Sequence, residues 1–150
     1  MKVAIGSDHA GFELKEAIGS FLRERRFAVV DAGTKSADPV DYPDFGAAVA
    51  RMVSSGDCDR GVLVCGSGVG MSIVANRFSG VRAALCLDIE TARMSRMHND
   101  ANILVLAGRR TDAATAREIT TVWMETEFEG GRHQRRLDKI NEIGSRTGGS

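Results

Sequence analysis

Short apolar runs alternate along this chain with longer stretches in which apolar residues recur every three or four positions. The short runs have the composition of buried strands, and they lie at 2–7, 27–30, 61–65, 81–87 and 103–107. The stretch after the first run has a helical period, with apolar residues at Leu14, Ala17, Ile18, Phe21 and Leu22. Further helical stretches are predicted at about 44–55, 70–78, 90–98 and 112–128.

This alternation predicts an α/β chain. Five strands that are each followed by a helix imply crossovers between parallel neighbours, with helices covering both faces of the sheet. We therefore predict a three-layer, doubly wound, Rossmann-like fold around a five-stranded parallel sheet. Residues 33–43 hold both prolines and are expected to form an irregular loop. Residues 131–146 are predicted to add a C-terminal helix to the single domain 1–146, and 147–150 to form a disordered tail.

Length and charge narrow the classes of function. A chain of 150 residues is the usual size of one domain. Its 20 basic and 20 acidic residues cancel, so no basic surface is expected for a nucleic acid. The apolar runs are too short to span a bilayer, and the N-terminus lacks the apolar segment of a signal peptide. We expect a cytoplasmic protein without nucleic-acid or membrane partners.

Cysteine and histidine usage gives no sign of a disulfide framework or a zinc site. The three cysteines are too few for such a framework and occur at 58, 65 and 86. No CxxC is present, and the three histidines lie far apart in the sequence, at 9, 98 and 133. The sequence therefore predicts free thiols, no metal and no other cofactor.

Ligands of open parallel sheets bind beyond the carboxyl ends of the strands, so polar residues at those ends are the candidates for chemistry. They are Ser7-Asp8-His9 after the first strand, Cys65 to Gly70 after the third, Asp88 after the fourth and Gly108-Arg109 after the fifth.

The segment CGSGVG at 65–70 is the most informative of these. Its glycines at 66, 68 and 70 leave backbone N–H groups open where a helix begins, which favours an anion-binding cradle. A dinucleotide fingerprint would place its third glycine at Met71 and would follow the first strand, although Asp88 lies about 20 residues on, as NAD binding requires. A tight turn that needs glycine for steric reasons only is the other interpretation.

Cys65 stands directly before this cradle. Helix N-terminal amides stabilise a thiolate, so Cys65 is a candidate nucleophile or base, whereas Cys58 and Cys86 are interpreted as small buried hydrophobic residues. His9 and His98 occur in the polar segments SDHAG and RMHNDAN. Imidazole titrates near neutral pH, which suits proton transfer.

A basic segment, GGRHQRR, begins the C-terminal helix. Its cationic side comprises Arg132, Arg136 and Lys139, spaced i, i+4, i+7, and its apolar side Leu137, Ile140 and Ile143. This helix is expected to pack on its apolar side. With His133 protonated, four cations fall within five residues, a density that suits a phosphate clamp. A solvated basic face is the alternative.

Together, the thiol, cradle, histidines and clamp favour proton transfer next to a carbonyl through an enediolate, but spacing alone does not separate this from a thiol hydrolase.

Five segments carry a family resemblance: GSDHAG (6–11), DYPDF (41–45), CGSGVGMSIVANR (65–77), RMHNDAN (96–102) and GGRHQRR (130–136). Over nearly its whole length the chain resembles the sugar-phosphate isomerase family that includes type B ribose-5-phosphate, galactose-6-phosphate and allose-6-phosphate isomerases. The resemblance implies interconversion of ribose 5-phosphate and ribulose 5-phosphate, in the pentose phosphate pathway, without metal or cofactor.

The resemblance also assigns roles to residues. It implies that Cys65 moves the proton between C2 and C1 and that His98 assists opening of the furanose ring. The sugar hydroxyls would be bound by Asp8, Ser67 and Asn99. The enediolate would be held by the amides of Gly66, Ser67, Gly68, Val69 and Gly70. The phosphate would be bound by His9, Arg109, Arg132 and Arg136. The resemblance further implies dimers, or dimers of dimers, whose sites draw residues from both chains, and for this chain we expect a homodimer or a dimer of dimers.

Two positions refine this interpretation. Ser67 stands where many relatives have Thr, which keeps the hydroxyl and loses a methyl group. Cys65 together with Met71 resembles the thiol branch, since another branch has a glutamate at the place of Met71.

The alternative functions are an isomerase of a related sugar (allose 6-phosphate or a free aldose), a NAD-binding oxidoreductase and a nucleotide-binding regulatory module.

Overall fold

A five-stranded sheet, parallel throughout, forms the centre of the molecule. The computed structural model describes residues 1–146, with side chains to residue 144, so the predicted tail 147–150 lies outside the described residues. The strands are β1 (Lys2–Ser7), β2 (Ala28–Asp31), β3 (Arg60–Cys65), β4 (Ala83–Leu85) and β5 (Ile103–Ala107). The helices are α1 (Phe12–Glu24), α2 (Tyr42–Ser55), α3 (Val69–Ala75), α4 (Ile89–Met97), α5 (Ala113–Glu125) and α6 (Arg132–Arg146).

Helices cover both faces of the sheet, and the predicted α/β class is confirmed. One face packs against α1, α4 and α5, whose buried residues include Leu14, Ile18, Leu22, Ile119 and Trp123. The other face packs against α2 and α3, with Val49, Ala50, Val53, Met71 and Ala75 in its core. Leu14, Ile18 and Leu22 are at most 7% exposed, as the helical period of this segment predicts.

The fourth strand is shorter than its apolar run. The pattern predicts a strand over 81–87, but β4 covers Ala83–Leu85. Val81 and Cys86 lie outside the strand and are nevertheless buried, at 8% and 0% exposure. Their apolar character therefore reflects burial in the core rather than membership of the strand.

The strand order is β2-β1-β3-β5-β4, so the direction of the crossovers reverses between β1 and β3. In open α/β sheets the crevice at such a reversal, outside the carboxyl ends of the strands, is where ligands bind. The loop that follows β2 covers part of this edge: the Ser7 N–H donates to the Gly33 carbonyl at 2.8 Å, and the Thr34 N–H to the Ser7 carbonyl at 2.9 Å.

This loop is anchored by an ion pair whose lysine is buried. The Lys15 side chain is 1% exposed, and its Nζ lies 2.9 Å from Oδ2 of Asp31. Oδ1 of Asp31 also accepts a hydrogen bond from the Gly33 N–H at 2.8 Å. Burial by itself raises the pKa of Asp31, but the hydrogen bonds from Lys15 and Gly33 and the charges of Lys15 and Lys35 outweigh it, so the pKa lies below its ordinary value.

No helix in the described part of the chain has the length and apolar content to cross a membrane.

Candidate active site

Cys65 is the last residue of β3 and is 5% exposed. Its carbonyl accepts a hydrogen bond from the Gly108 N–H at 2.7 Å, and the Gly66 carbonyl accepts one from the Arg109 N–H at 3.0 Å. The loops that follow β3 and β5 are therefore joined directly behind the thiol. The Arg109 side chain lies over the start of the glycine segment, since a Cβ at Gly66 would come 3.2 Å from its Nη1.

The glycine segment turns sharply into α3. Gly68 has φ +80°, and a Cβ there would overlap Cδ1 of Leu85. A Cβ at Gly70 would lie 2.5 Å from Cε1 of Tyr42. Steric demand thus accounts for both glycines, and anion binding by the segment stays a prediction. The Val69 N–H, expected to face the enediolate, donates to Oγ of Ser67 at 3.2 Å in this structure.

Asp8 and His9 lie beside this segment, beyond the end of β1. The Asp8 N–H donates to the Val64 carbonyl at 3.3 Å, which places the residue next to β3. The Asp8 carboxylate, which is largely buried, accepts a hydrogen bond from the Gly11 N–H at 3.0 Å. Nδ1 of His9 accepts one from the Val40 N–H at 3.1 Å, so the neutral ring carries its proton on Nε2.

One group of predicted site residues therefore lies together at the carboxyl edge of the sheet. It comprises Asp8, His9, Cys65, the segment Gly66 to Gly70, and Arg109. The group combines a thiol, a carboxylate, an imidazole N–H donor and an exposed guanidinium around a loop of backbone amides. Such a set can move a proton on a small anionic substrate and bind the negative charge that develops.

The remaining predicted residues lie at the opposite edge of the sheet, where the strands begin. His98 and Asn99 precede β5, whose five residues span about 16 Å at ~3.3 Å each. The Asn102 carbonyl accepts a hydrogen bond from the Gly61 N–H at 2.9 Å, which places this segment at the amino end of β3. Within one chain, His98 is therefore separated from Cys65 by the length of the sheet.

His98 lies in a compact cluster with two other side chains. Its ring stacks on His133 with centroids 4.3 Å apart and planes 16° from parallel. Oε1 of Glu129 lies 3.4 Å from Nε2 of each histidine. The argument that these histidines are too far apart for a shared metal is wrong for this pair, because the three donor atoms lie within 4.8 Å of one another. The ring planes are nearly parallel, however, so the in-plane lone pairs of the two rings do not converge on one point.

The surroundings of His133 disfavour the protonated form that the sequence analysis considered. Burial and the positive charges of His98, Arg132 and Arg136 lower its pKa, although Glu129 opposes the shift. The neutral ring is therefore favoured at neutral pH, and the cations of this segment are its arginines. Arg132 and Arg136 are exposed on α6, at the same edge as His98.

The apolar side of α6 is only partly buried within the chain. Leu137 is 3% exposed, but Ile140 and Ile143 are 51% and 60% exposed. Beside them is a groove of about 380 Å³, lined by apolar and small residues such as Val81, Ala84, Ala101, Leu137 and Ile140. Packing of this apolar side is therefore incomplete within one chain, and what else it packs against stays a prediction.

Three other predicted features have structural explanations. Asp88 caps α4, since its Oδ1 accepts a hydrogen bond from the Thr91 N–H at 2.7 Å. Cys58 and Cys86 are buried, at 3% and 0% exposure. Their interpretation as small buried residues is therefore confirmed, and burial raises the pKa of both thiols, that of Cys86 to about 11.

Sequence reasoning assigned no role to Tyr42 or Glu129. Tyr42 lies within the DYPDF segment, and its contact with Gly70 joins residues distant in the sequence. Glu129 precedes the basic segment, and an exposed glutamate next to glycines carries no local sign of a histidine partner.

The fold and the carboxyl edge of the sheet define a doubly wound α/β protein with a thiol at the crevice between β1 and β3. The family model for Ribose/Galactose Isomerase matches residues 3–140, and the chain belongs to this family. It is 44% identical to ribose-5-phosphate isomerase B of Escherichia coli over 97% of both chains. It is also similar to two solved structures. Ribose-5-phosphate isomerase B of Clostridium thermocellum has a TM-score of 0.97 and 51% identity, and covers 98% of this chain and 99% of its own. The Mycoplasma genitalium enzyme with bound ribulose-5-phosphate has a TM-score of 0.92 and 41% identity, and covers 96% of both chains.

Proposed function

We propose that this chain interconverts ribose 5-phosphate and ribulose 5-phosphate, as a cytoplasmic enzyme of the pentose phosphate pathway. The observation that carries the proposal is the position of Cys65, which ends β3 beside the glycine segment and next to Asp8 and His9. The names of its relatives support this choice of substrate. The three thiols are free, as a reducing compartment would keep them.

The proton transfer follows from the groups around Cys65. In the open-chain aldose, the thiolate removes the proton from C2, a C1–C2 double bond forms, and the C1 carbonyl oxygen becomes an enediolate oxygen. The amides of the glycine segment stabilise this negative charge. The thiol then returns its proton to C1, while the O2 hydroxyl loses its proton to O1 and becomes the ketose carbonyl. Asp8, Ser67 and Asn99 orient the hydroxyls in this scheme.

The phosphate is assigned to cationic and donor groups from both edges. His9 presents its Nε2–H, and Arg109 lies over the start of the glycine segment. Arg132 and Arg136 belong to the opposite edge, as does His98, to which we assign furanose opening. These residues do not reach Cys65 within one chain, so we propose a homodimer, or a dimer of such dimers, in which each site combines the two edges. The exposed Ile140 and Ile143 and the adjacent groove support a second copy of the chain as the partner.

Purified protein assayed on ribose 5-phosphate tests the activity, and absence of isomerisation would contradict it. Co-expression of Cys65→Ala and His98→Asn chains tests the shared site. Each variant alone is expected to be nearly inactive. Random pairing restores one intact site in each mixed dimer, so about a quarter of wild-type activity should return. If the mixture stays as inactive as the separate variants, Cys65 and His98 do not act in sites formed between chains.

A further inference from the structure

The cluster of His98, Glu129 and His133 has a task in the proposed reaction that goes beyond binding substrate. His98 is 31% exposed, whereas the His133 side chain is 8% exposed. His98 is thus the ring of the pair with access to a sugar, and His133 forms its inner support. Glu129 contacts the Nε2 edge of both rings at 3.4 Å.

The segment that carries Glu129 is fixed against the end of α4. The Glu129 N–H donates to the Met97 carbonyl at 3.1 Å, and Nε of Arg96 donates to the Thr126 carbonyl at 3.1 Å. Arg96 is itself buried and paired with Asp100, with Nη1 to Oδ1 at 2.8 Å. The position of Glu129 relative to His98 is therefore set by contacts that use neither imidazole.

We propose that Glu129 and His133 are positioning residues for His98, with His133 fixing the plane of the ring by stacking and Glu129 attracting its Nε2 edge. The Nδ1 edge is then left for the sugar. This inference rests on the proposed function, since it gives His98 the task of opening the furanose ring. A positioned imidazole contributes to proton transfer only when the correct nitrogen faces the substrate, which is the principle of a histidine oriented by a carboxylate.

The stacked rings make the role of His133 distinct from that of a general scaffold. A flat ring at 4.3 Å restricts rotation of His98 about its Cβ–Cγ bond. Phenylalanine can supply the same flat face without the ring nitrogens, whereas alanine cannot. His133→Phe is therefore expected to keep the function that His133→Ala loses.

The test compares two substrates. Ribose 5-phosphate is cyclic and needs ring opening, whereas 4-deoxyribose 5-phosphate lacks the hydroxyl that closes the furanose ring. We expect Glu129→Gln and His133→Ala to lower kcat on ribose 5-phosphate by about tenfold, part of what a general acid–base group contributes. On the 4-deoxy substrate both variants should stay within about twofold of wild type, because the enediolate step does not use His98. Glu127→Gln is the matched control, since this exposed residue in the same segment gives the same change of charge.

A spectroscopic measurement does not depend on activity. Stacking on a flat ring displaces the ring proton resonances of His98, so this displacement should be lost in His133→Ala and kept, in the same direction, in His133→Phe. The proposal is overturned if Glu129→Gln behaves like Glu127→Gln, if losses are equal on both substrates, or if His133→Phe is as impaired as His133→Ala.

Failure of the proposed function gives a different pattern. A wild-type protein that does not isomerise ribose 5-phosphate would contradict the function while leaving the resonance test of stacking readable. If His98→Asn shows the selective loss on ribose 5-phosphate but the Glu129 and His133 variants do not, the function stands and only the positioning roles fall.

Discussion

Nζ of Lys15 lies 2.9 Å from Oδ2 of Asp31, and the lysine side chain in this pair is 1% exposed. The pair joins α1 to the end of β2, and the same carboxylate holds the loop that reaches His9 through Val40. The stability of the loop after β2 and the position of His9, which is predicted to bind the substrate phosphate, therefore depend on the carboxylate of Asp31.

Asp31→Asn should destabilise the fold by about 3 kcal/mol, because it leaves a buried ammonium without its main counter-charge. Since the pKa of Asp31 is lowered in the folded state, its contribution is present above the ordinary value of 3.8 and is lost as the pH falls below it. Urea denaturation across this range should show an acid-dependent loss in wild type that is smaller in Asp31→Asn. Glu16→Gln is the control: that carboxylate, 52% exposed, also contacts Lys15 and should matter by less than about 1 kcal/mol. Equal stability of Asp31→Asn and wild type would contradict the role of the pair.

Cys65→Ala should lower kcat on ribose 5-phosphate by roughly a hundredfold to ten-thousandfold, the usual contribution of an acid–base group, with KM changed only a few-fold. Cys58→Ala and Cys86→Ala serve as controls, because both thiols are buried in the core. Steady-state kinetics of the three variants checks this. Near-normal turnover of Cys65→Ala would remove the thiol from the mechanism.

Arg136→Ala should lower kcat/KM for ribose 5-phosphate by about ten- to a hundredfold, since a charge-assisted hydrogen bond contributes roughly 1.5–3 kcal/mol. Activity on a free aldose, where present, should change little because that substrate has no phosphate. Lys139→Ala is the control on the same side of α6. An equal drop on both kinds of sugar would instead indicate a structural role at the contact between chains.

Gly68→Ala should cost both stability and activity. Its φ of +80° is unfavourable for alanine, and the added Cβ would overlap Leu85. Gly80→Ala is the matched control, because Gly80 has φ +76° and nothing within 4 Å of its Cβ position. The comparison separates backbone strain, about 1–2 kcal/mol, from displacement of the glycine segment. If thermal denaturation and kinetics give the same result for both variants, the contact with Leu85 does not shape the site.

The strands, the helices and the group at the carboxyl edge follow from the sequence because each depends on local pattern. Cys65, Asp8 and Arg109 each come directly after an apolar run, and the parallel topology brings such positions together. The location of His98 could also have been predicted, because a residue between a helix and the next strand lies at the amino edge of the sheet. The contacts of His98 with His133 and of Gly70 with Tyr42 could not have been predicted, because they arise from the packing of segments distant in the chain.

The separation of His98 from Cys65 has a consequence for how activity depends on the amount of protein. If each site needs one edge from each of two chains, turnover per chain is set by the fraction of chains that are paired. Specific activity should then decline on dilution below the dissociation constant of the dimer and return on concentration, while a substrate that occupies both edges favours the paired state.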